Sequence, residues 1–419
     1  MTDEKTIIDS MVQGYYANLQ SYIKMRDYYN GEHDIVATYK RETNRNNYIS
    51  INNFIQKFID EEIQYTLGNA VSFTSMSGNN EIINAIDNSL FHFKANHNQL
   101  LMKELEIYGT CYELSYIDRK GRYCTRILNP TNAIIYTDED EVPQIFIHFY
   151  KRQYDDNQYK DIYYNDGRIE IYKNDALINT KQHIFKGCPV SICQMDIEQT
   201  IYCKIKRLND AYNQIVSDQV NVIADYRNAY LVVVGAEVDE VAANTLKEKG
   251  ILNLTSKDST VSWLLKEMND QYIQNMIGNL KNSMYENCNH IDGNEKLQSN
   301  TSSLAIRSRL IFLENRCKTM FDIVSDTIYD RLERLFEYLS LKNLTYNVKD
   351  IRISYTPNIP IDIITIVQAI SQLGDKISLE TALKQLPWVE NPSQEIEKIK
   401  AEKSAMDKID LDKINGYGE

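Results

Sequence analysis

The strongest pattern in the chain lies between residues 303 and 341, where apolar residues recur at intervals of three and four. Such spacing puts them on one face of an α-helix. The apolar positions are Leu310, Leu313, Cys317, Phe321, Val324, Ile328, Leu332, Leu335 and Leu339. At 1.5 Å per residue this helix would reach roughly 58 Å, which is wider than an ordinary globular domain. The pattern therefore predicts a helix that needs a large assembly, or a partner helix, along most of its length.

Residues 290–302, just before this helix, are polar except for one apolar residue near each end. A segment with so few apolar residues has no face to bury, so we predict a loop. An exposed loop that opens onto a very long helix is the feature that a functional account has to explain.

Other helices are predicted by the same three-and-four spacing on both sides of the chain's centre. Gly31 and Gly68 follow the first two and are typical helix ends. The predicted helices cover about residues 1–30, 52–67, 81–109 (as one or two), 202–228, 266–288 and, as two or more pieces, 361–414.

Between about residues 111 and 190 the pattern changes to short β-rich runs separated by polar turns. The predicted strands are 112–117, 123–128, 145–150, 161–164, 169–172, 230–234 and 351–355. The strand at 230–234 opens a small mixed unit that lies between two helices of similar length. The chain is therefore predicted to be an α+β protein with an antiparallel sheet and a helical stalk that carries a small knob.

The composition is that of a folded, acidic protein: 419 residues, 43% hydrophobic, 25% charged and a formal net charge of −13. Tight nucleic-acid binders usually present a basic face, because phosphate neutralisation supplies most of their affinity. The acidic balance argues against such a binder, but it allows a protein past which DNA slides without sticking. The 30 tyrosines suit surfaces that become buried when subunits associate, although coding bias explains the same excess.

The seven cysteines are scattered, and no secretory signal precedes them, so we expect a reduced cytosolic compartment. No apolar run approaches the ~20 residues that cross a bilayer. We therefore expect no association with a membrane.

Enzyme signatures are absent from the sequence: it has no phosphate-binding glycine loop, no zinc-peptidase helix and no nucleophile elbow. The nearest approach to a metal site is the set His183, Cys188, Cys193 and Cys203, whose spacing matches no common zinc module. Two interpretations stay open for this set. It is either the site of a metal-dependent enzyme built on the β-rich region, or a group of ordinary buried residues.

Two further features have a structural and a chemical interpretation. His33 follows a helix end, where a histidine hydrogen-bonds locally more often than it catalyses. Residues 138–141 are four consecutive acids, which could bind a cation or act as acid and base. An extended run spreads them over both faces, so we predict a solvated loop.

Seven short motifs follow one another along the chain. They are 28–33 (Tyr-Tyr-Asn-Gly-Glu-His), 53–60 with 65–68, 108–113 (Tyr-Gly-Thr-Cys-Tyr-Glu), 187–190 (Gly-Cys-Pro-Val), 210–217 with 227–231, 300–305 (Asn-Thr-Ser-Ser-Leu-Ala), and 377–381 with 388–392. Taken together, over about residues 11–399, they resemble the portal proteins of tailed bacteriophages. The resemblance is to the family typical of long non-contractile-tail phages of Gram-positive hosts.

This resemblance implies a portal-like architecture of named regions. They are a wing of helices and antiparallel sheet (1–201), a two-helix stem (202–228 and 266–287), a small mixed α/β clip (229–265), a channel loop (288–302), a long wing helix with a closing strand (303–357) and a helical crown (358–419). It also implies a homo-oligomeric ring, usually dodecameric, at one vertex of the capsid. Such a ring is a virion component that is assembled in the host cytoplasm, and it is not an enzyme and holds no cofactor or metal.

The resemblance also implies which residues meet partners. The channel loop would line the path of double-stranded DNA, which passes without specific binding, through Asp292, Asn294, Glu295, Lys296, Gln298 and Asn300. The clip would dock the terminase large subunit and later the head–tail adaptor, through Glu237, Asp239, Glu240, Lys247 and Lys249. The major capsid and scaffolding proteins are the other expected partners. Another structural head–tail ring protein stays open as a second alternative.

Overall fold

The structure is a computed structural model, in which two units can be described. It describes residues 4–39, 47–226, 230–234, 240, 241, 244, 260–264, 270–293, 303–358, 368, 370–383, 386, 389, 392 and 395–402. The first unit is Met1–Asn358 and the second is Ile359–Glu419. No helix in the described part of the chain is both long and apolar enough to span a membrane.

The first unit contains eight of the described helices. They are α1 (Glu4–Asn30), α2 (Ile35–Thr38), α3 (Phe54–Leu67), α4 (Asn80–Leu90), α5 (His97–Tyr108), α6 (Ile201–Tyr226), α7 (Asp270–Asn287) and α8 (Ser303–Ser340). Asn53 caps α3 by accepting a hydrogen bond from the Gln56 amide. Gly109 ends α5 in the left-handed conformation, which glycine adopts without steric cost.

The strands of the first unit form four antiparallel sheets. They are β1 (Ser72–Ser75), β2 (Thr110–Ile117), β3 (Tyr123–Leu128), β4 (Ala133–Thr137), β5 (Pro143–Lys151), β6 (Gln158–Tyr164), β7 (Arg168–Lys173), β8 (Ala176–Gln182), β9 (Val190–Gln194), β10 (Tyr230–Val234), β11 (Thr260–Leu264) and β12 (Ile351–Ser354). The strand orders are β4-β5-β6-β7-β8, β3-β2-β9, β1-β12 and β10-β11. The mixed helical and antiparallel class predicted from the sequence is confirmed.

The five-stranded sheet is covered on both faces near its β4–β6 end. On one face, Met11 of α1 packs against Ile145 and Tyr164. On the other face, Phe146 packs against Tyr112 and Val190 of the three-stranded sheet. Burial of these apolar side chains, at about 1.5–3 kcal/mol each, is what holds the layers together.

The long helix α8 crosses the three-stranded sheet and packs against α3, α4 and α5. Cys317, Val324, Ile328, Leu332 and Leu335 of its predicted apolar stripe are fully buried. The helix ends within one residue of its predicted end. Along this stripe its partners are several shorter elements of its own chain, and not one partner helix. The predicted need for a large assembly stays a prediction.

Most other predicted elements are confirmed with small shifts at their ends. The predicted 81–109 region is two helices, and 202–228 and 266–288 are α6 and α7. The acid run at 138–141 is an exposed turn between β4 and β5, as predicted. Five strands that the sequence pattern did not predict are β1, β4, β8, β9 and β11.

The second unit contains α9 (Leu379–Leu383) and, before it, a 3-10 turn at Gly374–Lys376. Residues 370–373 and 395–402 are also helical. The Ser378 hydroxyl accepts a hydrogen bond from the Thr381 amide, which caps α9. These pieces agree with the predicted helices of this region, and the rest of the region lies outside the described residues.

Candidate channel segment and its anchor

The structure describes one of the six predicted channel residues. Asp292 lies just beyond α7 and forms an ion pair with Lys281 of that helix. The remaining five lie outside the described residues: Asn294, Glu295, Lys296, Gln298 and Asn300.

The structure also describes one of the five predicted docking residues. Glu240 is exposed and helical, between β10 and β11. The strands β10 and β11 pair with each other in antiparallel register, so the knob has a two-stranded sheet at its base. The other four docking residues lie outside the described residues: Glu237, Asp239, Lys247 and Lys249.

The two predicted stem helices, α6 and α7, pack against each other and against α3. The Phe54 ring of α3 meets Tyr212 of α6 and Tyr285 of α7 edge-on, at ring-centroid distances of 5.2 and 6.2 Å. Tyr285 lies near the end of α7, whereas Tyr212 lies in the first half of α6. The chain therefore leaves the body along α6 and returns to it along α7.

An extended segment, residues 48–54, lies along α6 and is held by polar side chains at every fourth helix position. The side chains of Asn221, Ser217, Asn213 and Asn209 accept hydrogen bonds from the amides of Tyr48, Ser50, Asn52 and Phe54, at 2.7, 2.9, 2.8 and 3.1 Å. Two residues of extended chain rise about 6.6 Å and four residues of helix rise about 6 Å, so the two repeats match. This register fixes α6 to the body.

His33 belongs to the same joint. Its Nε2 lies 3.2 Å from the Tyr28 carbonyl oxygen, and its Nδ1 lies 3.0 Å from Asn213 of α6. Its ring stacks on the Tyr28 ring with a centroid distance of 4.6 Å. The predicted local hydrogen bond is confirmed, and the motif at 28–33 also reaches the stem.

A cluster of charges, buried except for Glu61, lies where the segment that leaves α7 meets α3, α5 and α8. We call it the ionic joint, and its members are Glu61, Glu62, Glu106, His290 and Arg316. Arg316 donates to Glu62 Oε1 at 2.7 Å and to Glu106 Oε2 at 3.1 Å. The side chains of Glu62, Glu106 and His290 have no exposed surface. Charges so deep in a protein persist only when they are paired and hydrogen-bonded.

His290 is held as an imidazolium. Its Nδ1 lies 2.9 Å from Glu61 Oε2 and its Nε2 lies 2.9 Å from Glu62 Oε1. Ionised carboxylate oxygens only accept, so both ring nitrogens must donate. Burial opposes the charged ring, but the two glutamates outweigh burial and raise the pKa of His290.

Glu62 and Glu106 differ in protonation. Burial opposes ionisation of Glu62, but Arg316 and His290 outweigh it and lower its pKa. Burial and the nearby charge of Glu62 raise the pKa of Glu106 well above its usual value. Glu62 Oε2 and Glu106 Oε1 have no other hydrogen-bond partner among the described residues. Because the pKa of Glu106 is raised, a proton on Glu106 supplies a donor that this pair of carboxyls otherwise lacks.

The ionic joint brackets the predicted channel loop. His290 lies at the start of that loop, and Arg316 lies on α8, which follows it. Both donate to the same oxygen of Glu62, at 2.9 and 2.7 Å. One carboxylate of α3 therefore ties down the chain before and after the segment.

The set proposed as a metal site is not assembled. His183 Nε2 lies 3.1 Å from the Tyr164 carbonyl oxygen, and Cys203 is exposed on α6. Burial raises the pKa of Cys188 to about 12, so it stays a thiol, and Cys193 faces Cys111 across two strands. No group of three or more potential ligands that could hold a metal occurs in the described ranges. The metal-site alternative is wrong for these four residues.

A family comparison agrees with this arrangement. Residues 9–408 match the model of the family described as "Phage portal protein, SPP1 Gp6-like". The match covers most of the chain, so the chain belongs to this phage portal family. It is a structural protein of portal or head–tail-connector type, and thus a component of a phage or phage-like particle. Whether its phage has a long non-contractile tail and a Gram-positive host stays a prediction.

Comparison with curated proteins gives no match. Among solved structures, the chain is similar to a subunit of "Neck of empty GTA particle computed with C6 symmetry", with 10% identity, a TM-score of 0.49 and coverage of 81% of this chain and 88% of that one. It is also similar to a subunit of "Virion of native gene transfer agent (GTA) particle", with 10% identity, a TM-score of 0.44 and coverage of 77% and 86%.

The ionic joint was not predicted from the sequence, but a signal for it exists. Glu62 lies on the apolar face of α3, four residues after Phe58 and next to Ile63. Glu106 lies between Leu105 and Ile107 at the buried end of α5. A charged residue on the apolar face of an amphipathic helix is the pattern expected of a buried ion pair.

Proposed function

We propose that this chain forms an oligomeric ring, usually of twelve copies, at one vertex of a capsid. Double-stranded DNA passes through the ring during packaging and ejection, and the packaging motor and the head–tail adaptor dock on it. The observation that carries the proposal is the match to the portal family over residues 9–408. ATP hydrolysis belongs to a separate motor protein.

In this proposal α6 and α7 are the stem, and the unit between them, based on β10 and β11, is the clip. The wing is the body around α8, and the second unit contributes the crown. The order of two packed helices around a two-stranded sheet, followed by a loop and a helix of 38 residues, supports these assignments. The ionic joint then anchors the channel loop to the wing.

The net charge of −13 also supports a conduit. A protein that grips DNA neutralises phosphates with lysine and arginine and releases counterions. A pore through which DNA moves needs weak, non-specific contacts and some repulsion. The predicted channel residues are two acids, one lysine and three amides, which fits the second case.

Electron cryo-microscopy of the purified chain and of assembled particles tests the proposal. Closed rings with a central hole wide enough for a DNA duplex are expected, with residues 294–298 nearest the axis. Monomers or compact dimers in assembled particles, or residues 294–298 on the outer rim, would contradict it. End-on views also give the number of subunits, which no motif encodes.

A charge-reversal variant tests the clip. Reversing the charges of Glu237, Glu240 and Lys247 should prevent docking of motor and adaptor while rings still form. Reversing exposed charges of the β2–β3 turn, at Arg119 and Lys120, is the matched control and should leave docking intact. Loss of the ring itself in the clip variant would show that the clip is misplaced.

A further inference from the structure

The outer edge of the five-stranded sheet carries an unusual strand. Every residue of β8 is exposed, including Leu177 and Ile178, which are 52% and 50% exposed. No strand of the described residues pairs with its outer side. Its first three residues, Ala176, Leu177 and Ile178, are apolar, and its other four are polar, with Lys181 the one charge. An exposed edge strand is a template for another strand, and folded proteins usually block it with charges, proline or a bulge.

The opposite edge strand of the same sheet, β4, is protected from pairing with another strand. The strand β4 has an irregular register at Tyr136 and Thr137, and α1 packs against it. Its first residue, Ala133, is buried. In β8 the irregularity of register lies near the β7–β8 turn. Beyond it, Asn179–Gln182 pair regularly with β7 and leave their outer side open.

The register shows which backbone groups are free to bind. His183 donates its amide to the Gly167 carbonyl at 2.9 Å, so this pair is a hydrogen-bonded one. Bonded and non-bonded pairs alternate along antiparallel strands. Lys181 and Asn179 therefore point their backbone groups toward β7, and Thr180 and Gln182 point theirs outward.

The charges around this edge favour an acidic partner. Lys173, Lys181 and Lys186 lie on or next to β8, and no carboxylate in the described part of the chain is within ion-pair distance of them. The acids of the two adjoining turns are already paired, Asp175 with Lys160 and Asp166 with Arg168. In a chain with a net charge of −13, a local excess of lysine is a distinct feature.

The described edge strands of a second copy of this chain do not offer an acidic partner. The other edge strands of the described sheets are β1, β3, β4, β9, β10, β11 and β12. None of them contains an aspartate or a glutamate. The described edge strands therefore give no acidic partner, which favours a strand from a different polypeptide.

The end of the sheet beside β8 also presents an aromatic anchor. Tyr154, in the β5–β6 loop, is 98% exposed and has a φ of 61°, which is strained for an aromatic residue. This loop is tied to the β7–β8 turn, because Asn174 donates to Asn157 at 2.6 Å and accepts from the Gln158 amide at 2.9 Å. Rigid, exposed tyrosines are enriched at the centres of protein interfaces.

We infer that β8 is a docking edge on which an extended, acidic segment of another polypeptide of the particle adds as a sixth strand. The outward groups of Thr180 and Gln182 bind its backbone, and Leu177 meets its apolar side chains. Lys181 and Lys173 pair with its carboxylates. The inference rests on the proposed function only in placing the chain in a particle.

Hydrogen exchange of the full-length chain, as isolated rings and in assembled particles, tests the inference. The amides of Thr180 and Gln182 should exchange freely in rings and at least roughly tenfold more slowly in particles. Electron cryo-microscopy of the particles should show the added strand. A bare edge with unchanged exchange would overturn the inference, and a strand traced to a second copy of this chain would overturn the assignment of the partner.

A proline variant separates docking from folding. Thr180→Pro removes an outward amide and keeps the bonds to β7, so rings should form as in the wild type. The incorporation of this variant into particles should fall by roughly tenfold, because an interface hydrogen bond is lost and the hydrogen bonds next to it are weakened. Glu139→Pro is the matched control, because position 139 is the second residue of an exposed turn, where proline fits. Equal incorporation of the two variants would contradict the docking edge, whereas absence of rings in the wild type would contradict the proposed function instead.

Discussion

Two arginines of α8 each neutralise buried glutamate, but they do so in different ways. Arg331 meets one carboxylate: its Nε lies 3.0 and 2.8 Å from the two oxygens of Glu113. Arg316 meets two, those of Glu62 and Glu106. The first site lies in the body, against the three-stranded sheet, and the second is the ionic joint beside the predicted channel loop.

The difference shows what the number of carboxylates does to a buried site. At the Arg331 site burial opposes ionisation of Glu113, but Arg331 and His97 outweigh it and lower the pKa of Glu113 to about 2. Glu113 is therefore ionised, and the Arg331 site needs no proton on its carboxylate. The ionic joint has three carboxyls, so it holds a proton on Glu106 and a second on His290. The strength of the ionic joint therefore depends on the protons bound to Glu106 and His290.

Removal of either arginine should have the largest effect on stability. Arg331→Met leaves Glu113 buried with only His97 and Thr125, and should lower the free energy of unfolding by about 3–5 kcal/mol. Arg316→Met should cost less, because Glu106 is already neutral. Urea unfolding at fixed protein concentration measures both. Arg119→Met, in the exposed β2–β3 turn, is the control and should change stability by less than about 0.5 kcal/mol. Equal losses of unfolding free energy in Arg316→Met and Arg331→Met would contradict the difference between the two arginine sites.

The two glutamates of the ionic joint should respond differently to the same substitution. Glu106→Gln replaces a neutral acid with a neutral amide, so it should cost less than about 1 kcal/mol. Glu62→Gln removes the charge that Arg316 and His290 share, and should cost about 2–3 kcal/mol. The same urea titration measures both, and each variant is the other's control. If Glu106→Gln were the more damaging, the proton would be on Glu62.

The elements of the body could be predicted because their patterns are local. The stripe of α8 and the limits of β3 follow from residue spacing alone, and both agree with the structure. The strand β1 could not be predicted, since it is short and pairs with β12, as in Ser72 with Ser354, far along the chain. The strand β8 is exposed throughout, so its pattern carries no burial signal.

The candidate site was predictable only in outline. A polar run before a long helix predicted a loop, and the resemblance to portal proteins implied that this loop lines a channel. Of its named residues, the structure describes Asp292. The ionic joint depends on four segments that meet only in the folded chain. The sequence can mark Glu62 as a charged residue on an apolar helix face, but it does not show that Glu62 meets Arg316, which lies more than two hundred positions further along the chain.

The pH dependence of stability should separate the joint from the rest of the chain. Because the pKa of His290 is raised in the fold, its contribution is complete below the unfolded value near 6.5 and is lost as the pH rises through the folded value. The difference in unfolding free energy between wild type and His290→Gln should therefore shrink from pH 6 to pH 8.

His148 provides a control of opposite sign. Burial, aided by Arg126, lowers its pKa to about 4. Its contribution is thus present above pH 6.5 and lost as the pH falls toward 4. The difference between wild type and His148→Gln should grow over the range in which that of His290→Gln shrinks. Parallel changes in the two variants would mean that His290 is not held as an imidazolium.

The smallest effect is expected from a single hydroxyl of the Arg331 site. The Thr125 hydroxyl donates to Glu113 Oε1 at 2.8 Å, beside the bonds from Arg331 and His97. Thr125→Val keeps the shape and leaves Glu113 its bonds to Arg331 and His97, so urea unfolding should show a loss of about 1 kcal/mol. Thr74→Val, at an exposed position of β1, should be nearly neutral. A loss as large as that of Arg331→Met would show that hydrogen bonds, and not the guanidinium charge, keep Glu113 ionised, and the contrast between the two arginine sites would then fail.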